Sequence, residues 1–201
     1  MRKFLYLISP NKIKPSFYRD LDEVLALNKV KYFQLRLKNC PKSKILKISK
    51  KIKKITRRYK VKFIINDSFI IAKKIGADGC HLGQTDGSIS NAKKLLGKNK
   101  IIGITCHNSI KLAKIAIKNN ADYLAFGAFF SSKTKKTRFH AKINILHSIN
   151  KLTRTPLVAI GGINSKNYKK LLLNKANFLA ISGYIWNNKK YKPSEAIKRI
   201  K

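Results

Sequence analysis

The chain reads as a (β/α)8 barrel, and three features of its 201 residues say so. Short apolar runs alternate with stretches whose apolar residues recur at helical spacing, roughly every 20–25 residues, the rhythm of a parallel α/β fold. Polar and charged residues collect just past the apolar runs, and in such a barrel the C-terminal strand ends share the face that carries chemistry. The Gly-rich turn that a doubly wound open sheet needs after its first strand is missing; Ser9-Pro10 stands there. No linker or low-complexity segment interrupts the pattern, so residues 1–201 are expected to form one domain with a full core.

The elements follow in order. Phe4 to Ile8 is predicted as strand one, and Asp20 to Leu27 as a helix with acidic residues in its first turn, where they suit the helix dipole. Tyr32 to Leu37 is strand two. Lys42 to Tyr59 is a long basic helix with Ile45, Leu46, Ile48, Ile52 and Ile55 on its buried side. Phe63 to Ile65 is strand three, Ser68 to Ile75 a helix closed by Gly76, and Cys80-His81-Leu82 strand four. Ser88 to Leu96 is a helix capped by Ser88 or Ser90 and closed by Gly97. Ile101 to Ile104 is strand five, and Asn108 is expected to cap a helix through Ile117. Asp122 to Phe126 is strand six, followed by a long polar loop, Gly127 to His140, expected to close over the site when ligand is bound. Ile143 to Leu152 is helical, Pro156 to Ile160 is strand seven, and Ser165 to Leu173 is a helix. Asn177 to Ile181 is strand eight, and Lys189 to Lys201 a last helix with Pro193 near its start.

The formal charge of +38 invites a nucleic-acid reading. Against it, the lysines are spread over nearly every predicted helix and occupy solvent positions of otherwise intact amphipathic patterns, and no aromatic stacking platform accompanies them. No specific nucleic-acid role is expected. Cys40, Cys80 and Cys106 are odd in number and lack CxxC spacing, which argues against a disulfide framework or a structural zinc site and suits a reducing, cytoplasmic setting. No apolar run approaches the roughly 20 residues that span a bilayer, and the short apolar start is no signal peptide.

The candidate chemistry sits past the strands. With only eight acidic residues in the chain, Asp67 and Asp86 just beyond successive strands stand out, and they would meet at one end of the sheet as a place for a divalent cation. Asp78 precedes its strand at the opposite end, where it should steady a turn. In strand two, Gln34, Arg36 and Lys38 alternate with Phe33, Leu35 and Leu37, so the polar set faces the barrel interior. Interior Arg and Lys need anionic partners, and a phosphorylated ligand fits better than a scarce carboxylate. Gly161-Gly162 and Ser182-Gly183, on adjacent strands, leave backbone N–H groups for an anion at the recurrent phosphate position of such barrels. His81 reads as packing beside strand four, and His107 as either a ligand contact or a hydrogen-bonded structural residue.

These residues carry a resemblance. QLRLK at 34–38, IND at 65–67, GADGCHLGQTD at 76–86, IIGITCH at 101–107, TKK at 134–136 and VAIGGI at 158–163 are similar, in order and spacing, to thiamine phosphate synthase and its close relative, thiazole tautomerase. The resemblance implies a cytoplasmic enzyme joining 4-amino-2-methyl-5-hydroxymethylpyrimidine diphosphate to hydroxyethylthiazole phosphate, two small phosphorylated substrates, with no membrane partner and no particular oligomeric state. It implies that Gln34, Leu35, Arg36, Leu37, Lys38, Asn66, Thr105 and Lys135 bind the pyrimidine diphosphate, and that Asp67 and Asp86 hold Mg²⁺. It further implies that Ser132, Lys133, Thr134, Gly162, Ser182 and Gly183 hold the thiazole phosphate, with Arg36, Lys38 and Lys135 stabilising the departing diphosphate. The family mechanism is dissociative: diphosphate leaves, and the thiazole nitrogen captures a pyrimidine-methyl cation. Two departures stand out. Ala128 and Ser131 replace prolines usual in the loop after strand six, and Ser182-Gly183 replaces a usual Val-Ser pair. A tautomerase or regulatory relative on the same fold, and a basic nucleic-acid-binding barrel, remain alternatives at this point.

Overall fold

The computed structural model describes residues 4–131 and 138–200. Eight parallel strands close into a barrel in chain order: β1 (Leu5–Ile8), β2 (Val30–Leu35), β3 (Lys62–Asn66), β4 (Gly79–Leu82), β5 (Ile101–His107), β6 (Tyr123–Phe126), β7 (Leu157–Ile160) and β8 (Phe178–Ile181). β1 pairs with both β2 and β8, which closes the ring and leaves no sheet edge. The helices are α1 (Phe17–Ala26), α2 (Lys42–Arg58), α3 (Phe69–Ile75), α4 (Ile89–Leu96), α5 (Ile110–Lys118), α6 (Asn144–Leu152), α7 (Tyr168–Leu173), α8 (Gly183–Trp186) and α9 (Pro193–Lys198). None of the described helices is long and apolar enough to cross a membrane.

Strand alternation divides the core in two. Leu5, Leu7, Phe33, Leu35, Phe63, Ile65 and Cys80 point outward and pack with Leu21, Ile52, Ile71 and their like on the helices. Tyr6, Ile8, Tyr123, Ala125, Val158 and Ala180 point inward and fill the barrel, with Tyr32 and Phe178 below them. Each fully buried large apolar side chain contributes about 1.5–3 kcal/mol, so the outer layer is the main source of stability. Gly103 lets the inner layer close: a Cβ there would fall 1.8 Å from the Tyr123 ring.

The N-terminal rim of the barrel is stitched by one repeated device. Asp78, Asp122 and Asn177 precede β4, β6 and β8, and each side-chain oxygen accepts the N–H of a residue at the start of the preceding strand: Phe63 at 2.9 Å, Ile102 at 2.8 Å and Leu157 at 2.8 Å. Asp78 does steady the end opposite the candidate chemistry.

Several local boundaries differ from the sequence reading. β2 stops at Leu35, so Arg36, Leu37 and Lys38 lie in the following loop, where the Arg36 N–H binds Ser9 Oγ at 2.9 Å in place of a strand partner. β5 runs on to His107 through a bulge between Thr105 and His107 in its pairing with β6. Ser109, not Asn108, caps α5, accepting the Leu112 N–H at 3.2 Å, while Asn108 donates to the His140 carbonyl at 3.1 Å. Ser88 is the cap of α4. The helix expected to begin at Ser165 starts at Tyr168, because Asn164 and Asn167 side chains fold the preceding residues into a turn. The last helix, expected from Lys189, is shortened to α9, because the Asn188 side chain turns the chain at Lys190 and Tyr191 before Pro193 opens it, and α8, directly after β8, was not expected.

Candidate active site

Two adjoining cavities open at the C-terminal rim, of about 300 and 440 Å³. The smaller is lined by the ends of β2 to β5 and contains Gln34, Arg36, Lys38, Asn66, Asp67 and Asp86. The larger lies over β6 to β8 and contains Gly161, Gly162, Ser182, Gly183, Asn11 and Tyr184. Arg36, Thr105 and His107 border both.

The acidic pair sits in the smaller cavity. Asp67 follows β3 with φ 65°, its N–H held by the His81 carbonyl at 2.7 Å, and its carboxylate takes the Lys38 ammonium. Asp86 accepts the Gly83 N–H at 2.8 Å, which closes the turn after β4. Burial first, then the neighbouring Asp67 carboxyl, pushes the Asp86 carboxyl above its ordinary value, against the pull of Gly83 and Lys38. Two carboxyl groups held this close repel each other when both are ionised, and Lys38 neutralises only part of their charge. Among the described residues no third His, Cys, Asp or Glu joins them. A divalent ion here would draw its remaining ligands from water and from a bound anion, the pattern of a hard cation on few carboxylates.

Arg36 carries the other strong charge. Its Nη1 reaches Asn11 Oδ1 at 3.3 Å, and burial lowers its pKa while Asp67 opposes that shift. A guanidinium partly stripped of water between two cavities is matched to anionic groups on either side. Lys38, expected in the interior, is instead half-exposed at the rim, and its carboxylate partner is Asp67.

The glycines after β7 do two things. A Cβ at Gly161 would fall 2.4 Å from Ala128 Cβ, and one at Gly162 2.3 Å from the Ser131 carbonyl oxygen, with φ of 103° and 61°. They therefore let the segment after β6 lie directly on the end of β7, as well as lining the larger cavity. Both ends of α8 are tied to the end of β1, by Ser182 Oγ, just before the helix, donating to the Ser9 carbonyl at 3.1 Å and by Nε1 of Trp186, its last residue, donating to the Ile8 carbonyl at 2.7 Å. Tyr184 Oη is buried without a hydrogen-bond partner among the described residues.

The structure thus brings together Gln34, Arg36, Lys38, Asn66, Asp67, Asp86, Thr105, Gly162, Ser182 and Gly183. Leu35 and Leu37 pack toward the helices, so only their backbone faces the rim. Ser132, Lys133, Thr134 and Lys135 lie outside the described residues. Sequence reasoning missed Ser9, Asn11 and Tyr184. A signal for the first two existed, since they are polar residues just past strand one, as Asp67 is just past strand three. It also read His81 as packing, whereas His81 bonds Tyr123 Oη at 2.9 Å and Thr105 Oγ1 at 2.8 Å on the floor of the smaller cavity. His107 stacks on Phe139 with ring centres 4.0 Å apart.

Known proteins with this chain's features agree with one another. The thiamine monophosphate synthase family model matches residues 5–185. A thiamine-phosphate synthase of Pelagibacter ubique is 63% identical over 201 residues, covering 100% of this chain and 97% of that one. A thiamine-phosphate synthase of Erythrobacter litoralis is 39% identical over 187 residues, covering 91% and 88%. Among solved structures, the thiamine phosphate pyrophosphorylase of Pyrococcus furiosus superposes with a TM-score of 0.85 at 29% identity, covering 98% of this chain and 93% of that one. The chain belongs to the thiamine monophosphate synthase family.

Proposed function

We propose that this chain is a Mg²⁺-dependent transferase that condenses 4-amino-2-methyl-5-hydroxymethylpyrimidine diphosphate with hydroxyethylthiazole phosphate, releasing diphosphate and forming thiamine phosphate. The observation that carries the reading is Arg36 standing between two cavities, one with a carboxylate pair and the other edged by the β7 and β8 turns. One cavity suits a diphosphate with its cation and the other a phosphate monoester, which is the substrate pair this reaction needs. Membership of the family supports it.

In this reading Asp67 and Asp86 hold Mg²⁺, Asn66 and Lys38 contact the diphosphate, and Gln34 and Thr105 contact the pyrimidine. The Gly162 and Ser182-Gly183 backbone receives the thiazole phosphate. Mg²⁺, when bound, supplies positive charge to the leaving group. Arg36 and Lys38 do the same from the protein side, and their effect grows as charge develops on the diphosphate. No side-chain nucleophile is required. Holding both substrates across Arg36 removes the entropic cost of their meeting. Of the residues assigned here from sequence, Lys135 and Ser132 to Thr134 would add to the diphosphate and phosphate contacts. One domain suffices for the whole reaction, with a soluble biosynthetic role and small-molecule partners only.

The test is direct: incubate the protein with both substrates and Mg²⁺ and separate the products by chromatography. Thiamine phosphate should form only when both substrates and the metal are present. Turnover of the thiazole alone, without coupling, would favour a tautomerase on the same scaffold.

A further inference from the structure

The barrel floor contains a continuous chain of hydrogen bonds linking five strands, β1, β2, β4, β5 and β6, and reaching the active-site rim. Gln34 Nε2 donates to Tyr6 Oη at 2.7 Å, Tyr6 Oη lies 2.8 Å from Tyr123 Oη, Tyr123 Oη lies 2.9 Å from His81 Nδ1, and His81 Nε2 lies 2.8 Å from Thr105 Oγ1. All the linking groups are buried: Tyr6 and Tyr123 are each 1% exposed, Gln34 3% and His81 9%. Buried polar groups must be satisfied, so the protons in such a chain cannot be arranged freely.

Donor counting gives the direction. A neutral phenol has one proton to donate. Tyr6 already accepts from Gln34, so its proton goes to Tyr123, and the Tyr123 proton goes to His81 Nδ1. His81 Nδ1 is then an acceptor, which places the imidazole proton on Nε2, aimed at Thr105 Oγ1. Thr105, accepting from His81, keeps its own proton for the cavity it lines. With the Gln34 amide nitrogen on Tyr6, the opposite direction would make Tyr6 accept from both Gln34 and Tyr123 and leave its own proton without an acceptor among the described residues. Burial raises the pKa of both phenols, so they remain protonated and able to donate.

We propose that Tyr6, Tyr123 and His81 are positioning residues that form a one-way hydrogen-bond relay from Gln34 to Thr105, so that the smaller cavity presents an acceptor at Gln34 and a donor at Thr105. That pattern complements an aminopyrimidine, whose exocyclic amine donates and whose ring nitrogens accept. It is mismatched to the oxo analogue, whose carbonyl accepts and whose adjacent ring N–H donates, and a site whose polar groups are left unpaired rejects such an analogue strongly. The inference rests on the reading that the pyrimidine diphosphate occupies this cavity, and it assigns the origin of base selectivity there. Gly103 belongs to the device, because only a residue without a Cβ leaves room for the Tyr123 ring beside β5.

The test begins without substrate. In protein labelled with ¹⁵N-histidine, NMR reads the tautomer of His81, with a His81→Gln variant assigning its signals. Nδ1 should resonate as an unprotonated nitrogen and Nε2 as a protonated one; the opposite tautomer, or an imidazolium, overturns the relay. Steady-state kinetics follow. Tyr123→Phe should raise KM for the pyrimidine diphosphate roughly tenfold, with KM for the thiazole phosphate unchanged, and unchanged or equally altered KM values overturn the positioning role. Should that variant fail to fold, Thr105→Ser and Thr105→Val carry the comparison: Ser retains KM and Val raises it, whereas equal values overturn the proposal. If the wild-type protein makes no thiamine phosphate, the functional reading fails, while the tautomer still decides the relay.

Discussion

Replacing Asp86 by Asn separates the structural work of this side chain from its charge. The carboxylate accepts the Gly83 N–H at 2.8 Å, and an amide oxygen can take the same hydrogen bond, so the turn after β4 should persist. What the substitution removes is a negative charge beside Asp67. Burial and Asp67 raise the Asp86 carboxyl pKa. The sign follows: stability is fully present below the ordinary carboxyl pKa and is lost as pH rises through the raised one, so at neutral pH ionised Asp86 costs the free protein stability. The group is largely solvent-screened, so relief of that cost is small, within about 1 kcal/mol. For a chain of this size that is a change in Tm of about 2–4 °C, upward. Activity should move the other way, and much further. Loss of one of two carboxylates for the cation removes charge stabilisation in the transition state and should lower kcat/KM by about a hundredfold or more. Scanning calorimetry and the thiamine phosphate assay, run on the same preparation, measure both. Full activity in Asp86→Asn, or a fall in activity matched by unfolding, would refute the reasoning.

Three other outcomes are expected. Arg36→Ala should retain the barrel by circular dichroism, yet raise KM for both phosphorylated substrates, because the guanidinium borders both cavities; an effect on one substrate only would place it in a single subsite. Gly103→Ala drives a Cβ to 1.8 Å from the Tyr123 ring and should destabilise by about 1–3 kcal/mol, read as a lower denaturation midpoint; an unchanged midpoint would contradict the packing. Cys80 and Cys106 are fully buried and pushed up to about 12, so in the native protein a thiol reagent should react quickly with the half-buried Cys40 alone, and with all three after denaturation. Because those two pKa values are raised, the thiols' contribution to stability holds below pH 9 and is lost toward pH 12, and Cys80→Ala should blunt that alkaline loss.

Much of this was legible because barrel strands and helices write different periods into the chain. Gly76 after α3 and Gly97 after α4 marked true helix ends. The alternation of Phe33 and Leu35 with Gln34 correctly separated the outer core from the interior. Asp67 and Asp86 were conspicuous because the chain has so few acids. What escaped depended on tertiary context. α8 is one turn anchored by Trp186 and Ser182 to the end of β1, and contacts across more than 170 residues leave no local periodicity. Asn108 and Ser109 are both good caps by type, and the pull of the His140 carbonyl on Asn108 decides between them. The relay through Tyr6, Tyr123 and His81 joins residues 42 to 117 positions apart, and each of them alone looks like an ordinary strand residue.

In the proposed function Asp67 and Asp86 form half of a metal site that the diphosphate completes. Calorimetric titration of Mg²⁺ into the protein tests it, first alone and then with the pyrimidine diphosphate present. Binding should be weak to the free protein, where two carboxylates leave most of an octahedral shell to water, and should tighten markedly with the diphosphate. Tight Mg²⁺ binding to the free protein, or no change when the diphosphate is added, would contradict the account.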